Sequence, residues 1–211
     1  GIFFIIIYKE RLKSVGKLFI AHSVLLGIIT SLALGGASWM ENMQATLFKD
    51  TVIHTKITPY QHLTVTERYI GKGLPKITSL YINGRLQFSS NDEEIYHSYL
   101  TYPALTASAR QDHVLVIGGG DGLAVRDILQ WNPLTVTLID LDEGMISMFR
   151  GEDQDMPIDL AQRILAMNKS AFRDPRVFIV VGDAFVEVEK LLSEQKRFDT
   201  IIVDLPDPSH P

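Results

Sequence analysis

Val114 to Asp127 read VLVIGGGDGLAVRD. Four apolar residues run into three glycines, an acid and a fourth glycine, and a helical pattern follows. An apolar run that stops at a glycine turn and resumes as a helix opens an α/β unit, in which a buried parallel strand delivers its loop to a ligand. The spacing narrows the ligand. A dinucleotide fingerprint needs G-x-G-x-x-G, or alanine in the last place; counted from Gly118, that place holds Leu123. No Gly-Lys-Ser/Thr follows, so the phosphate-loop pattern fails too. Gly118, Gly120 and Gly122 form G-x-G-x-G instead, which admits close backbone approach without demanding a pyrophosphate. Asp121 inside the loop would repel a phosphate. Both features suit a nucleoside that carries a positive group, such as a sulfonium.

Downstream, TVTLID, VFIVVGD and TIIVDL repeat the first run's character. Each is apolar without alternation and stops at glycine or an acid, and the stretches between read as helical. This pattern predicts a parallel sheet covered on both faces. Ligands of such sheets bind beyond the carboxyl ends of the strands. Asp121, Asp140, Asp183 and Asp204 mark those ends, so four carboxylates converge on one edge. A single acid there is more often a helix cap, and Asp183 could cap the helix of AFVEVEKLL. All four strands ending this way favours an acidic site. Asp140 follows the loop by about 20 residues, where an acid commonly accepts hydrogen bonds from ribose hydroxyls.

Upstream, TVIHTKI, HLTVTERYI, ITSLYIN and RLQFS read as short strands, and Asn83-Gly84 between the last two is a two-residue hairpin signal. Residues 92–109 read as a helix with acids in its first turn and Pro103 as a kink or an end. Further upstream, Leu18 to Ser38 hold no charge over 21 residues. As a helix they would span roughly 31 Å, the thickness of a bilayer core. Another apolar run, GIFFIII, precedes them, with Lys9, Arg11, Lys13 and Lys17 between. The expectation is a membrane segment in a chain that lacks earlier spans, followed by WMENMQATLF as a short amphipathic helix. The resulting division is 1–40 membrane segment, 41–90 linker and β-strand domain, and 91–211 Rossmann-like domain with a C-terminally incomplete sheet. The basic loop alone would place the site outside the cytoplasm by the positive-inside rule.

Composition removes several classes. The net charge of −5 argues against a nucleic-acid partner. The absence of cysteine excludes disulfides, thiolate metal sites and a cysteine nucleophile.

The sequence resembles the spermidine synthases, a polyamine aminopropyltransferase family. The resemblance is carried in order by Tyr60-Gln61, Asn83-Gly84 with Gln87, Asp92-Glu93 with Tyr96-His97, Gly118 to Gly122, Asp174 to Val177, Gly182-Asp183-Ala184 and Asp204 to Pro208. The apolar N-terminal runs look like its membrane-attached branch. The resemblance implies a Rossmann-like S-adenosylmethionine-dependent transferase fold behind a small antiparallel β unit. It implies decarboxylated S-adenosylmethionine as co-substrate, no metal, and putrescine or a related polyamine as acceptor. Gln61 and Gln87, with Gly118, Gly120, Gly122 and Ala184, would hold the co-substrate. Asp121 would bind its free amine, Asp140 its ribose and Asp183 its adenine. Tyr96 and His97 would line the acceptor pocket, Asp204 would be the base, and Asp207 would help bind the acceptor. It further implies a multi-pass inner-membrane protein in contact with lipid, its catalytic domain cytoplasmic; homo-oligomerisation is left open.

Three positions depart from the family. Asp140 stands where glutamate is usual, Leu205-Pro206 replace small hydroxyl residues, and Ser98 replaces the glutamate after Tyr-His. Alone, His97 reads as an ordinary surface residue, and Tyr96, Tyr99 and Tyr102 as core packing at helical spacing. A methyltransferase on the same fold, and a membrane-bound polyamine or nucleoside sensor without turnover, are the alternative readings. Asp121 opposes the first, since intact S-adenosylmethionine carries a carboxylate.

Overall fold

The computed structural model describes residues 14–205, with 35–47 described by backbone alone. The chain divides into two compact units, Gly1–Lys49 and Asp50–Pro211.

Among the described residues of the first unit runs a helix, α1 (Val15–Leu47), of 33 residues. Its first 20 residues, Val15–Leu34, are long and apolar enough to cross a bilayer, by length and composition. Phe19, Ile20, Leu25, Ile29 and Leu32 stand exposed along it. The expected separate helix at WMENMQATLF is a correction: α1 runs through it unbroken. Gly35 and Gly36 cost a helix only about 1 kcal/mol each against alanine, and no proline intervenes. GIFFIII and the basic residues Lys9, Arg11 and Lys13 lie outside the described residues.

The second unit begins with an antiparallel meander, β1 (Thr51–Ile57), β2 (His62–Arg68), β3 (Ile77–Ile82) and β4 (Arg85–Ser89), paired in chain order. Asn83 and Gly84 both have positive φ, 51° and 79°, as the primed two-residue hairpin turn requires. α2 (Glu93–Ala107) follows and keeps Pro103 inside it, on its exposed side. There solvent takes up the carbonyl left without an amide partner.

The parallel sheet is built from β5 (His113–Gly118), β6 (Thr135–Asp140), β7 (Val177–Val181) and β8 (Thr200–Asp204), in the order β7-β6-β5-β8. The order reverses between β5 and β8, the place where open α/β sheets leave a crevice for ligand. Helices α3 (Leu123–Leu129), α4 (Glu143–Arg150), α5 (Ile158–Met167) and α6 (Ala184–Ser193) connect or flank the strands. Val114, Val116, Val136 and Leu138 are fully buried. The expectation of two covered faces holds for β5 and β6 only. Phe178 on β7 and Ile201 and Val203 on β8 remain exposed, and α6 buries none of its residues.

One apolar core joins the two sheets. Leu63, Leu80 and Phe88 of the meander cluster with Val116, Leu138 and Phe149. Phe88 and Phe149 meet edge to face with centroids 5.9 Å apart. Polar ties set the same docking. Lys56 Nζ donates to Asp153 Oδ2 at 3.0 Å, and Arg163 Nη1 to Glu67 Oε2 at 2.6 Å. Thr58 Oγ1 donates to Asp142 Oδ2 at 2.8 Å. The last tie fixes the β1–β2 turn that carries Gln61 against the parallel sheet.

Candidate active site

A cleft of about 290 Å³ opens at the carboxyl ends of the parallel strands. Its walls include Gln61, Gln87, Gly118, Gly120, Asp121, Asp140, Asp183, Ala184 and Asp204. Residues up to 143 positions apart in the chain thus meet at one edge, because every strand of a parallel sheet ends on the same side.

The glycine loop is packed against two of the acids. Gly118 has φ of +80°, and a Cβ there would strike the Asp204 carbonyl. Gly119 N donates to that carbonyl at 3.0 Å. Gly120 N donates to Asp140 Oδ2 at 3.0 Å, and a Cβ on Gly120 would sit 2.8 Å from the same oxygen. The loop therefore needs its glycines to bring backbone against Asp140 and Asp204. Gly122 does not line the cleft. It turns into α3 at φ of +75° beneath the ring of Phe172, where a Cβ would lie 3.0 Å away.

Asp140 accepts from Asp142 N through Oδ1 at 2.8 Å and from Gly120 N through Oδ2. Each oxygen retains a second lone pair for a hydroxyl donor. Burial raises its pKa above the usual carboxylate value; the two backbone donors oppose this, and Asp142 and Asp204 add to it. Asp183 accepts from Phe185 N at 2.8 Å and so caps α6, as its local sequence suggests. Its Oδ2 remains available to the cleft, so the cap and a ligand role are compatible. Gln61 is held by the Thr58 tie, with its Nε2 3.4 Å from Met145 Sδ.

Deeper in, Asp121 and Asp204 are both buried. An oxygen of each and a ring nitrogen of His97 lie within 4.8 Å of one another. Asp121 Oδ1 accepts from Leu123 N at 2.9 Å. Tyr96 donates its hydroxyl to Asp204 Oδ1 at 3.5 Å. Burial first, and Asp121 second, push Asp204 up to about 6, against the pull of His97 and Tyr96. Burial likewise raises Asp121, against His97 and the Leu123 amide. Two like charges this close resist joint ionisation unless a cation joins them. A pocket of this kind selects a positively charged ligand and disfavours a carboxylate.

His97 corrects the surface reading, being only 2% exposed. It is turned inward because Glu93 and Thr101, one turn away on either side, share the buried face of α2. Tyr96 and Tyr99 are not core packing either; they are half-exposed and exposed. Asp207 lies outside the described residues. The sequence reading gave no role to Glu93, Arg126, Asp127 or Asp142, all of them buried. The one signal for Arg126 was the adjacent charge pair Arg126-Asp127, flanked by Val125 and Ile128 in an otherwise apolar helix.

Comparison with known proteins agrees with the geometry. Residues 93–211 match the model of the spermine/spermidine synthase domain. Over all 211 residues the chain is 48% identical to a polyamine aminopropyltransferase of Shewanella oneidensis, covering 37% of that protein. It is 44% identical over 165 residues, 78% of the chain, to polyamine aminopropyltransferase 2 of Ralstonia nicotianae, covering 29% of it. A spermidine synthase solved with the transition-state analogue AdoDATO superposes with a TM-score of 0.59 at 26% identity, over 75% of this chain and 48% of that one. The spermidine synthase of Thermotoga maritima gives 0.57 at 25% identity, over 73% and 47%. The chain thus spans well under two thirds of each of these proteins.

Proposed function

The chain belongs to the spermine/spermidine synthase family, and from that premise we propose that it carries the co-substrate site of a polyamine aminopropyltransferase. The group moved is the aminopropyl arm of decarboxylated S-adenosylmethionine, and putrescine, giving spermidine, is the acceptor. The observation that carries this reading is the buried pair Asp121 and Asp204 beside His97, at the inner end of a nucleoside-sized cleft.

Each residue then has a chemical task. Asp140 takes the ribose hydroxyls and Asp183 the adenine amino group, with Gln61, Gln87 and Ala184 on the flanks. Asp121 takes the ammonium of the aminopropyl arm. That ammonium stands without a carboxylate beside it only because the co-substrate has been decarboxylated, which explains an acid inside a glycine loop. The acceptor amine has a pKa of about 10.4, so at neutral pH it arrives protonated. Asp204 attracts it and accepts its proton as attack begins. The amine nitrogen forms a bond to the carbon beside sulfur. The carbon–sulfur bond breaks with its electron pair going to sulfur, and neutral methylthioadenosine leaves. Tyr96 positions Asp204 through its hydroxyl, and Asp207 is assigned to acceptor binding. Leu205 lines the cleft and makes the acceptor side more apolar than the hydroxyl residues usual there.

The test is release of methylthioadenosine by the intact protein from decarboxylated S-adenosylmethionine with putrescine and a panel of other amines. Methyl transfer from intact S-adenosylmethionine, or no nucleoside release with any amine, would contradict the proposal.

We further propose that α1 lies in the inner membrane, in contact with lipid, with Asp50 onward in the cytoplasm. The exposed apolar length of α1 supports the span. The cytoplasmic source of decarboxylated S-adenosylmethionine supports the orientation against the pull of Lys9 to Lys17. A phosphatase fused after Pro211 should be inactive and a fluorescent protein active; the reverse pattern overturns the orientation.

A further inference from the structure

One buried ionic assembly takes no part in the transfer chemistry. Glu93, the first residue of α2, and Arg126 of α3 make two parallel hydrogen bonds, Nη1 to Oε1 at 2.7 Å and Nη2 to Oε2 at 3.0 Å. Arg126 Nε also donates to Asp127 Oδ1 at 2.8 Å, and Nη1 to the Met167 carbonyl at 3.0 Å. Glu93, Arg126 and Asp127 are 3–4% exposed. Two carboxylates and one guanidinium leave a net negative charge in a region of low dielectric, where an uncompensated charge is costly.

His97 is placed to cancel it. Its Nδ1 lies 2.7 Å from the Glu93 carbonyl oxygen and 3.2 Å from Glu93 Oε2. Both partners accept, so Nδ1 bears the proton. The nitrogen left to meet the acid pair is Nε2. A doubly protonated ring would therefore donate to Glu93 on one side and face Asp121 and Asp204 on the other.

We propose that Glu93, gripped by Arg126, is a positioning residue for the transfer: it fixes His97 as a cation, and that cation keeps Asp204 ionised and able to serve as base. The second half rests on the aminopropyl-transfer reading; the first does not. The groups facing His97 are Glu93 and Tyr96 from its own helix, Asp121 from the glycine loop and Asp204 from β8, while Arg126 and Asp127 of α3 act on it through Glu93. Tyr96 meets the imidazole edge to face, with centroids 5.0 Å apart. Arg126 is the opposing cation, and its donors are committed to Glu93, Asp127 and Met167. Burial would lower His97, but the hydrogen bond it donates to Glu93 and the charges of Asp121 and Asp204 raise it above the ordinary imidazole value. Glu93 itself is driven down, since the bonds from His97 and Arg126 outweigh its burial.

The direct test is a proton and nitrogen resonance titration of His97 in the whole chain. In the unmutated protein His97 should be doubly protonated at pH 7. Glu93→Gln keeps the shape and removes the charge, and it should lower the His97 midpoint by at least about one pH unit. In the same variant the acid limb of turnover should move to higher pH, because Asp204 loses part of its counter-charge. The alkaline plateau should stay within about threefold of normal. A merely structural Glu93 would depress turnover equally at every pH. His97 found neutral at pH 7 in the unmutated protein overturns the proposal, whether or not the variant folds. So does a Glu93→Gln profile scaled down uniformly. A cationic His97 in a protein without transferase activity would uphold the ion assembly and reject the transferase reading.

Discussion

Asp204→Asn is expected to lower turnover by a factor on the order of 10² to 10⁴, the usual range for loss of a positioned general base. The end of β8 fixes the Asp204 backbone, whose carbonyl is tied to Gly119 N, so the substitution changes the proton acceptor and little else. Co-substrate affinity should change little, because the proposal assigns the ribose, adenine and ammonium contacts to Asp140, Asp183 and Asp121. The pH dependence has a defined sign. Burial and Asp121 raise Asp204 to about 6, so turnover of the unmutated protein should fall as pH drops through that value and the base takes up its proton. A bound cation favours the ionised form and would move this limb lower. In Asp204→Asn the deficit should shrink as pH rises toward the acceptor's own pKa of about 10.4, where free amine needs no base. Near-normal turnover of the variant at neutral pH would show that Asp204 is not the base.

Arg126→Met is expected to destabilise the second unit by about 3–5 kcal/mol, the usual cost of removing one partner of a buried ion pair. Methionine is close to the length of the arginine stem, so packing is largely kept. What is lost is the counter-charge of both Glu93 and Asp127, which are nearly as buried as Arg126 itself. Domains of this size hold only about 5–15 kcal/mol in total. A fall in Tm on the order of 10 °C should follow, read by thermal melting in neutral buffer. Replacing both members of the pair, Glu93→Leu with Arg126→Met, should cost less than Arg126→Met alone, since one fewer buried charge is left unpaired. A single-variant loss below about 1 kcal/mol would mean that solvent reaches the cluster.

The fold was legible where local chemistry and global topology agree. β5 and β6 carry continuous apolar runs because both faces are covered, and their boundaries match the reading closely. The Asn83-Gly84 turn was legible because its two positive φ angles admit few residue types. α1 ran past its expected end because a glycine pair is a weak stop without proline. The exposed faces of β7 and β8 were not legible, since an apolar run gives no sign of what covers it.

In the site, the acids at strand ends could be read because the sheet delivers every carboxyl end to one edge. His97 could not be read alone. Its burial depends on the approach of α2 to α3, a tertiary fact with no local periodicity behind it. Glu93 and Arg126 escaped for the same reason. They are 33 residues apart in the chain, and each looks like a surface charge until the other is placed against it. Asp183 was ambiguous between cap and ligand contact, and its geometry accommodates both.

The central claim is that Asp121 receives the ammonium of a co-substrate that has lost its carboxylate. Calorimetry on the intact protein tests it most directly, with decarboxylated S-adenosylmethionine and methylthioadenosine titrated separately into unmutated protein and into Asp121→Asn. The two ligands share the adenosine part, and only the first carries the ammonium. A hydrogen bond to a charged group contributes about 1.5–3 kcal/mol, so Asp121→Asn should weaken the decarboxylated co-substrate by roughly 10- to 100-fold. Methylthioadenosine should change by less than about threefold. Equal losses for both ligands would contradict the claim and leave Asp121 as a structural acid of the glycine loop.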